Sequence, residues 1–196
     1  MPERGLAAIL AGGSGSRLGG RKPLVELGGR ALIDHPIAAA LEACLDVVVV
    51  AKRDSPLPAL DVEVLIEPDE PRHALAGVVA ALGHAAGRPI VAVACDMPFV
   101  TPAFLGWLSS FTETAAIPSW GGHLHPLIAH YGPAATVPLA AAVEAGHAAQ
   151  EAVMALDPRV LGDESLCRFG HVDRLLMNVN TEGELELARQ IVAEAL

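Results

Sequence analysis

The residues best suited to chemistry lie in one glycine-rich run, Leu10-Ala-Gly-Gly-Ser-Gly-Ser-Arg17-Leu-Gly-Gly-Arg-Lys22, directly after an apolar segment. Glycines at 12, 13, 15, 19 and 20 let the backbone approach a ligand closely and turn its N–H groups toward phosphate oxygens. Arg17 and Lys22 add cations for the same phosphates. The spacing excludes two familiar phosphate loops. A dinucleotide-binding GxGxxG would need glycine where Leu18 stands, and a Walker A loop needs an adjacent Gly-Lys, which Arg21 interrupts. The competing reading is a glycine-rich turn with no ligand, in which two cations would have no packing purpose.

A second constellation is Val91-Ala-Val-Ala-Cys-Asp96-Met-Pro98. A carboxylate at the C-terminal end of a fully apolar strand suits Mg²⁺, which keeps waters and bridges one or two carboxylates to substrate phosphates. Asp96 could instead cap the next helix, but Thr101 before Pro102 is the better cap. A third is Asn178-Val-Asn180-Thr181-Glu-Gly-Glu184. Thr181 and Glu184 form the pattern of a capping box. Asn178 and Asn180 alternate, so a strand end there would place both amides on one face, reading a polar ligand or satisfying a buried loop. His123, His125 and His130 have no Cys or acid beside them in the pattern, so a structural or substrate-contact role is expected rather than a metal site.

The elements that must position these groups follow from the pattern. Short β-branched runs bounded by turn residues predict strands over Leu6–Leu10, Val47–Ala51, Val62–Ile66, Ile90–Cys95, Ala115–Pro118, Leu127–Tyr131 and Leu175–Asn178. Ala/Leu-rich stretches between them predict helices over Leu32–Cys44, Leu75–Ala86, Pro102–Phe111, Pro138–Ala145 and Glu182–Ala195. Alternating strands and helices, with strands apolar on both faces, predict a mostly parallel sheet covered on both sides. Gly121-Gly122 predicts a hairpin, and so an antiparallel excursion. The whole of 1–196 reads as a single α/β domain, since no linker, repeat or low-complexity tract interrupts it.

Composition bounds the function. The chain is 52% hydrophobic and 18% charged, enough to bury a full core. Its net charge of −10 argues against a nucleic-acid partner, which needs a basic stripe to displace counterions. The acidity is unevenly spread, because residues 1–30 hold Arg4, Arg17, Arg21, Lys22 and Arg30 against only Glu3 and Glu26. Cations therefore collect beside the glycine loop. Three scattered cysteines without a CxxC pair suggest neither disulfides nor zinc, and a reducing cytoplasm. No run has the length and composition of a signal peptide or membrane helix, so no membrane association is expected.

Taken together, LAGGSGSRLGGRKPLVELGGRALID, CDMP at 95–98, HPLIAHY at 125–131 and NVNTEGEL at 178–185 resemble, in order and spacing, the motifs of MobA-like nucleotidyltransferases. The similarity is greatest to their molybdenum cofactor guanylyltransferase branch, as LAGG rather than LAAG at 10–13 suggests. The resemblance implies a three-layer α/β/α sandwich of the nucleotide-diphospho-sugar transferase type, with a Rossmann-like, mostly parallel sheet. It implies transfer of GMP from GTP to molybdenum-molybdopterin with release of pyrophosphate, and Mg²⁺ as cofactor. Leu10, Ala11, Gly12 and Gly13 would then contact guanine and ribose, with Asp69 and Gly77 completing the nucleotide site. Arg17 and Lys22 would hold the triphosphate, Asp96 would bind the metal, and Asn178 and Asn180 would face the acceptor. A molybdopterin insertase or an apo-molybdoenzyme is the implied protein partner. Two alternatives stay open: a guanylyltransferase for another phosphate acceptor such as adenosylcobinamide phosphate, and a nucleotide-binding module without catalysis.

Overall fold

The computed structural model describes residues 5–13 and 20–194. Along the chain run β1 (Leu6–Leu10), β2 (Glu26–Leu27), β3 (Arg30–Ala31), α1 (Asp34–Glu42), β4 (Asp46–Ala51), β5 (Glu63–Ile66), α2 (Ala76–His84), β6 (Ile90–Ala94) and α3 (Pro102–Ser109). There follow β7 (Ala115–Trp120), β8 (His123–Leu124), β9 (Ile128–Tyr131), α4 (Thr136–Glu144), α5 (Ala149–Met154) and β10 (Arg159–Leu161). Helices α6 (Asp163–Leu166), α7 (Val172–Leu175) and α8 (Glu182–Glu194) complete the order.

The main sheet has the order β10-β7-β9-β6-β1-β4-β5, with β8 paired to β7. Strands β6, β1, β4 and β5 are parallel. Only β9 runs against its neighbours β6 and β7 within that path, which is the expected antiparallel excursion. The hairpin itself joins β7 to β8, with Trp120 opposite His123. Gly121 and Gly122 have φ of +58° and +79°, the left-handed pair that a two-residue turn between twisted strands requires.

Burial explains the layers. β1 and β6 are apolar on both faces because both are covered. Ala7, Ile9, Val49, Val91 and Val93 pack with α1, α3 and the α6–α7 region, whereas Leu6, Ala8, Val48, Val50, Ile90 and Ala92 pack with α2, α4 and α5. Phe104, Leu105 and Leu108 of α3 are fully buried, each contributing about 1.5–3 kcal/mol. The Thr101 hydroxyl accepts from the Phe104 N–H at 3.3 Å, so the expected cap starts α3 and leaves Asp96 free for other work.

One expected strand is absent. Residues 175–178 close α7 and continue as an irregular segment: Leu175 ends the helix, Leu176 caps it, and the Leu-Leu-Met run suits a helix at least as well as a strand. This segment makes a single sheet-like bond, from the Val179 N–H to the Asp96 carbonyl at 2.9 Å. Short β2, β3 and β10 and helix α5 extend the expected set.

Candidate active site

The chain leaves β1 for β4 on one side, and α2 later returns it to β6 on the other. Strand order thus diverges at β1, and a crevice opens at the carboxyl ends of the strands around it, where ligands bind in open α/β sheets. A cleft of about 710 Å³ lies there, within the range of small-molecule sites. Leu10, Ala11, Gly12, Gly13, Gly20, Lys22, Gly77, Asp96, Asn178 and Asn180 all line it, so ten positions read from sequence converge. Arg17 lies outside the described residues. Asp69 does not line the cleft.

The end of the cleft around Asp96, the phosphate end by the part that the sequence motifs imply, is built from three distant segments. β6 ends at Ala94, and the Cys95 N–H donates to the Leu10 carbonyl at 3.1 Å, which locks the 95–97 turn to β1. The Asp96 side chain is buried and forms an ion pair with Lys22. Lys22 sits on a single 3-10 turn, Lys22–Leu24, anchored by buried Pro23. Its Nζ also donates to Asn180 Oδ1 at 2.6 Å, and Asn178 Nδ2 lies 3.3 Å from Asp96 Oδ1. Val179 between the two asparagines is fully buried against Leu27, Leu32, Leu185 and Ala188. That anchor places the Asn178 amide against Asp96 and the Asn180 amide against Lys22 without a strand.

The capping box holds the next element. The Thr181 N–H and the Asn180 N–H each donate to Glu184 at 2.8 Å, and the Glu184 N–H donates to Thr181 Oγ1 at 3.3 Å. Burial raises the Glu184 pKa, but these donors outweigh it and hold the carboxyl below its ordinary range. Thr181→Ala should cost about 1 kcal/mol in denaturant unfolding, as loss of such a cap does. A depressed carboxyl stabilises the fold above its unfolded titration range and loses that contribution as pH falls through the folded one. Glu184→Gln should therefore flatten that limb of the acid-unfolding curve.

The other end of the cleft holds a feature the motifs did not single out. Glu67 follows β5, its N–H bonded to the Ala51 carbonyl at 2.9 Å, and its carboxylate is buried at the cleft floor. It fills the space beside two glycines. A Cβ on Gly12 would meet Glu67 Cδ at 2.7 Å, and one on Gly77 would meet Glu67 Oε2 at 2.9 Å. Lys52 Nζ pairs with Glu67 at 3.5 Å and donates to the carbonyls of Pro68 and Asp69 at 2.9 and 3.2 Å. Asp69 thus contributes its backbone here. Ser55 ties this corner to β1, accepting from the Lys52 N–H and donating to the Ala11 carbonyl at 3.3 Å. The sequence signal for Lys52 is its rarity, as one of two lysines; Glu67 has none that sets it apart, because Asp69 and Glu70 follow it within three residues.

Three cations, Lys22, Lys52 and Arg72, face three carboxylates, Asp54, Glu67 and Asp96, among the described lining residues. Cys95 also lines the cleft, but burial, with Asp96 beside it, pushes its thiol up to about 12. It is no thiolate nucleophile at neutral pH. Among the described residues no three His, Cys, Asp or Glu side chains gather to hold a metal. Asp96 offers one carboxylate to the cleft, a donor set that suits Mg²⁺ arriving with a nucleotide that supplies its own phosphate ligands.

The model of the MobA-like NTP transferase domain matches residues 7–160. The chain belongs to this family. It is therefore a member of a nucleotidyltransferase family with an α/β fold. It is 31% identical over 192 residues to a probable molybdenum cofactor guanylyltransferase of Pelotomaculum thermopropionicum, covering 95% of this chain and 92% of the relative. It is 33% identical over 181 residues to the molybdenum cofactor guanylyltransferase of Pseudomonas syringae, covering 88% and 87%. Among solved structures, molybdopterin-guanine dinucleotide biosynthesis protein A from Archaeoglobus fulgidus superposes with a TM-score of 0.83 at 27% identity, over 96% and 99% of the two chains. A 2-C-methyl-D-erythritol 4-phosphate cytidylyltransferase from Thermus thermophilus (TM-score 0.69, 18% identity, 97% and 99%) shares the fold. Among the described residues, no helix is long and apolar enough to cross a membrane.

Proposed function

We propose that the chain acts as one cytoplasmic nucleotidyltransferase domain that moves GMP from GTP to molybdenum-molybdopterin and releases pyrophosphate. The convergence of Lys22, Asp96, Asn178 and Asn180 at one end of the cleft carries this reading, supported by relatives of that name matched over nine-tenths of the chain. The base lies at the opposite end. Guanine presents two adjacent donors, N1–H and the 2-amino group, and the buried Glu67 carboxylate supplies two acceptor oxygens. Glu67, rather than Asp69, is thus the acid that would meet the base. Leu10 to Gly13 and Gly77 shape the wall between base and phosphates.

Mg²⁺, held by Asp96 and the triphosphate, would offset the negative charge that grows during substitution at the α-phosphorus. Lys22 presents its ammonium to the same oxygens and orients them for in-line attack by the acceptor phosphate. Asn180 and Asn178 fix Lys22 and Asp96 and lie on the side from which the acceptor enters. No group on the enzyme need become covalently modified. A molybdopterin insertase or an apo-molybdoenzyme would supply the acceptor or take the product.

The test is pyrophosphate release from each of the four nucleoside triphosphates with Mg²⁺, with and without molybdopterin. Release from GTP that requires molybdopterin is expected. Preference for CTP or ATP would overturn the guanylyl assignment. Release only with adenosylcobinamide phosphate would move the acceptor, and GTP binding with no release under any acceptor would make the domain a binding module.

A further inference from the structure

Lys52 is one of two lysines in the chain, and both line the same cleft. They are placed differently. Lys22 bonds to the side chains of Asp96 and Asn180, whereas Lys52 donates to the Pro68 and Asp69 carbonyls and pairs with the Glu67 carboxylate at 3.5 Å. An ammonium engaged with its own surroundings in this way has little left for a triphosphate. Glu67, for its part, is buried, and Lys52 is its only ion-pair partner among the described residues.

Three further observations tie this pair to specificity. The glycines at 12 and 77 leave the Glu67 carboxyl a slot that any Cβ would close. The backbone of Lys52 is linked through Ser55 to Ala11, in the loop that shapes the nucleotide wall. The carbonyls that Lys52 grips belong to the two residues following Glu67, so the ammonium clamps both the carboxylate and the chain carrying it.

We propose that Lys52 is a positioning residue for base selection: its ammonium holds the Glu67 carboxylate and the backbone that carries it in place at the cleft floor, and so makes the site selective for a purine with adjacent N1–H and 2-amino donors. This rests on the reading that Glu67 faces the base. A buried carboxylate stripped of its cation turns away toward water, and its acceptor oxygens then no longer meet the N1–H and 2-amino donors.

The experiment measures equilibrium binding of Mg²⁺ complexes of GTP, inosine triphosphate and xanthosine triphosphate to the native chain, Lys52→Gln, Lys52→Arg and Glu67→Gln. Inosine lacks the 2-amino group, so the native chain should prefer GTP over inosine triphosphate by roughly ten- to a hundredfold, the worth of one charge-assisted hydrogen bond. Lys52→Gln, which can still donate to the two carbonyls but has no charge, should bring that ratio close to one. Lys52→Arg should keep most of it. Glu67→Gln should shift preference from GTP toward xanthosine triphosphate, since an amide can donate to the 2-oxo group. If Glu67→Gln leaves the GTP-to-xanthosine preference unchanged, the base-reading role of Glu67 fails. If it shifts that preference while Lys52→Gln weakens GTP and inosine triphosphate equally, Glu67 stands and the proposal for Lys52 is overturned. Thermal unfolding of each variant does not enter the ratio, so a merely structural role for Lys52 would leave selectivity untouched.

Discussion

Asp96→Ala should lower turnover on the order of 10²–10³-fold at saturating GTP and Mg²⁺, the usual consequence of losing one preorganised stabiliser of transition-state charge. The carboxylate is buried, ion-paired to Lys22 and flanked by Asn178, and it is the one acid at the phosphate end of the cleft among the described lining residues. Removing it therefore removes the partner that positions the ammonium and, on the proposed function, the carboxylate that would hold Mg²⁺. Asp96→Asn separates these roles, because it keeps the shape and the Val179 N–H bond to the Asp96 carbonyl. It should fold as the native chain does and yet show nearly the full loss. Lys22→Ala should produce a similar loss, and the double variant little more than either, because the two side chains act as one unit. Near-normal turnover of Asp96→Ala in excess Mg²⁺ would remove the metal from Asp96.

The second large effect belongs to Gly12. A methyl group there cannot coexist with Glu67 in its observed place, since Glu67 Cδ would lie 2.7 Å from the new Cβ. The carboxylate is the end of a flexible side chain and can swing aside, so Gly12→Ala should unfold only about 1–3 kcal/mol more easily, the range for overpacking. Its effect on the ligand is larger. With Glu67 displaced, the KM for GTP should rise roughly ten- to a hundredfold, while turnover at saturation changes less. Glu67→Asp in the same chain draws the carboxyl back by one methylene and should recover part of both the stability and the GTP preference. If the double variant is no better than Gly12→Ala alone, the collision with Glu67 is not the cause. This gives a physical sense to LAGG at 10–13: the space beside its first glycine, Gly12, is occupied by an acid that follows another strand.

Much of the scaffold was legible along the chain. β1 matches its expected bounds, and β4, β5, β6, β9 and the five main helices lie within a few residues of theirs, because runs such as Val47–Ala51 and Ile90–Ala94 carry their burial in their composition. Boundaries set by a local bond were legible too, at Thr101 and in the Thr181–Glu184 box. Elements supported from outside were not. β2 and β3 are two residues each, and β10 shows an exposed Arg159 and Val160, so none carries a periodic signal. The run 175–178 is apolar enough to read as a strand, but its Leu and Met residues suit a helix equally well, and its first residue closes α7.

The sequence by itself determined the family motifs, the alternation of strands and helices, and the placing of Lys22, Asp96, Asn178 and Asn180 near strand or helix ends. Only the tertiary structure decided that Lys22 and Asn180, 158 residues apart, share a hydrogen bond, and that Glu67 rather than Asp69 reaches the cleft. The physical reason is range. Propensity, capping and burial period act over a few residues, whereas the meeting of β1, β4, β5 and β6 at one crevice depends on strand order and register. The pairing of Ala51 with Ile66 sets where β5 ends, and the Glu67 N–H bond to the Ala51 carbonyl then directs the next side chain between Gly12 and Gly77. A shift of one residue would have turned that carboxylate to the other face.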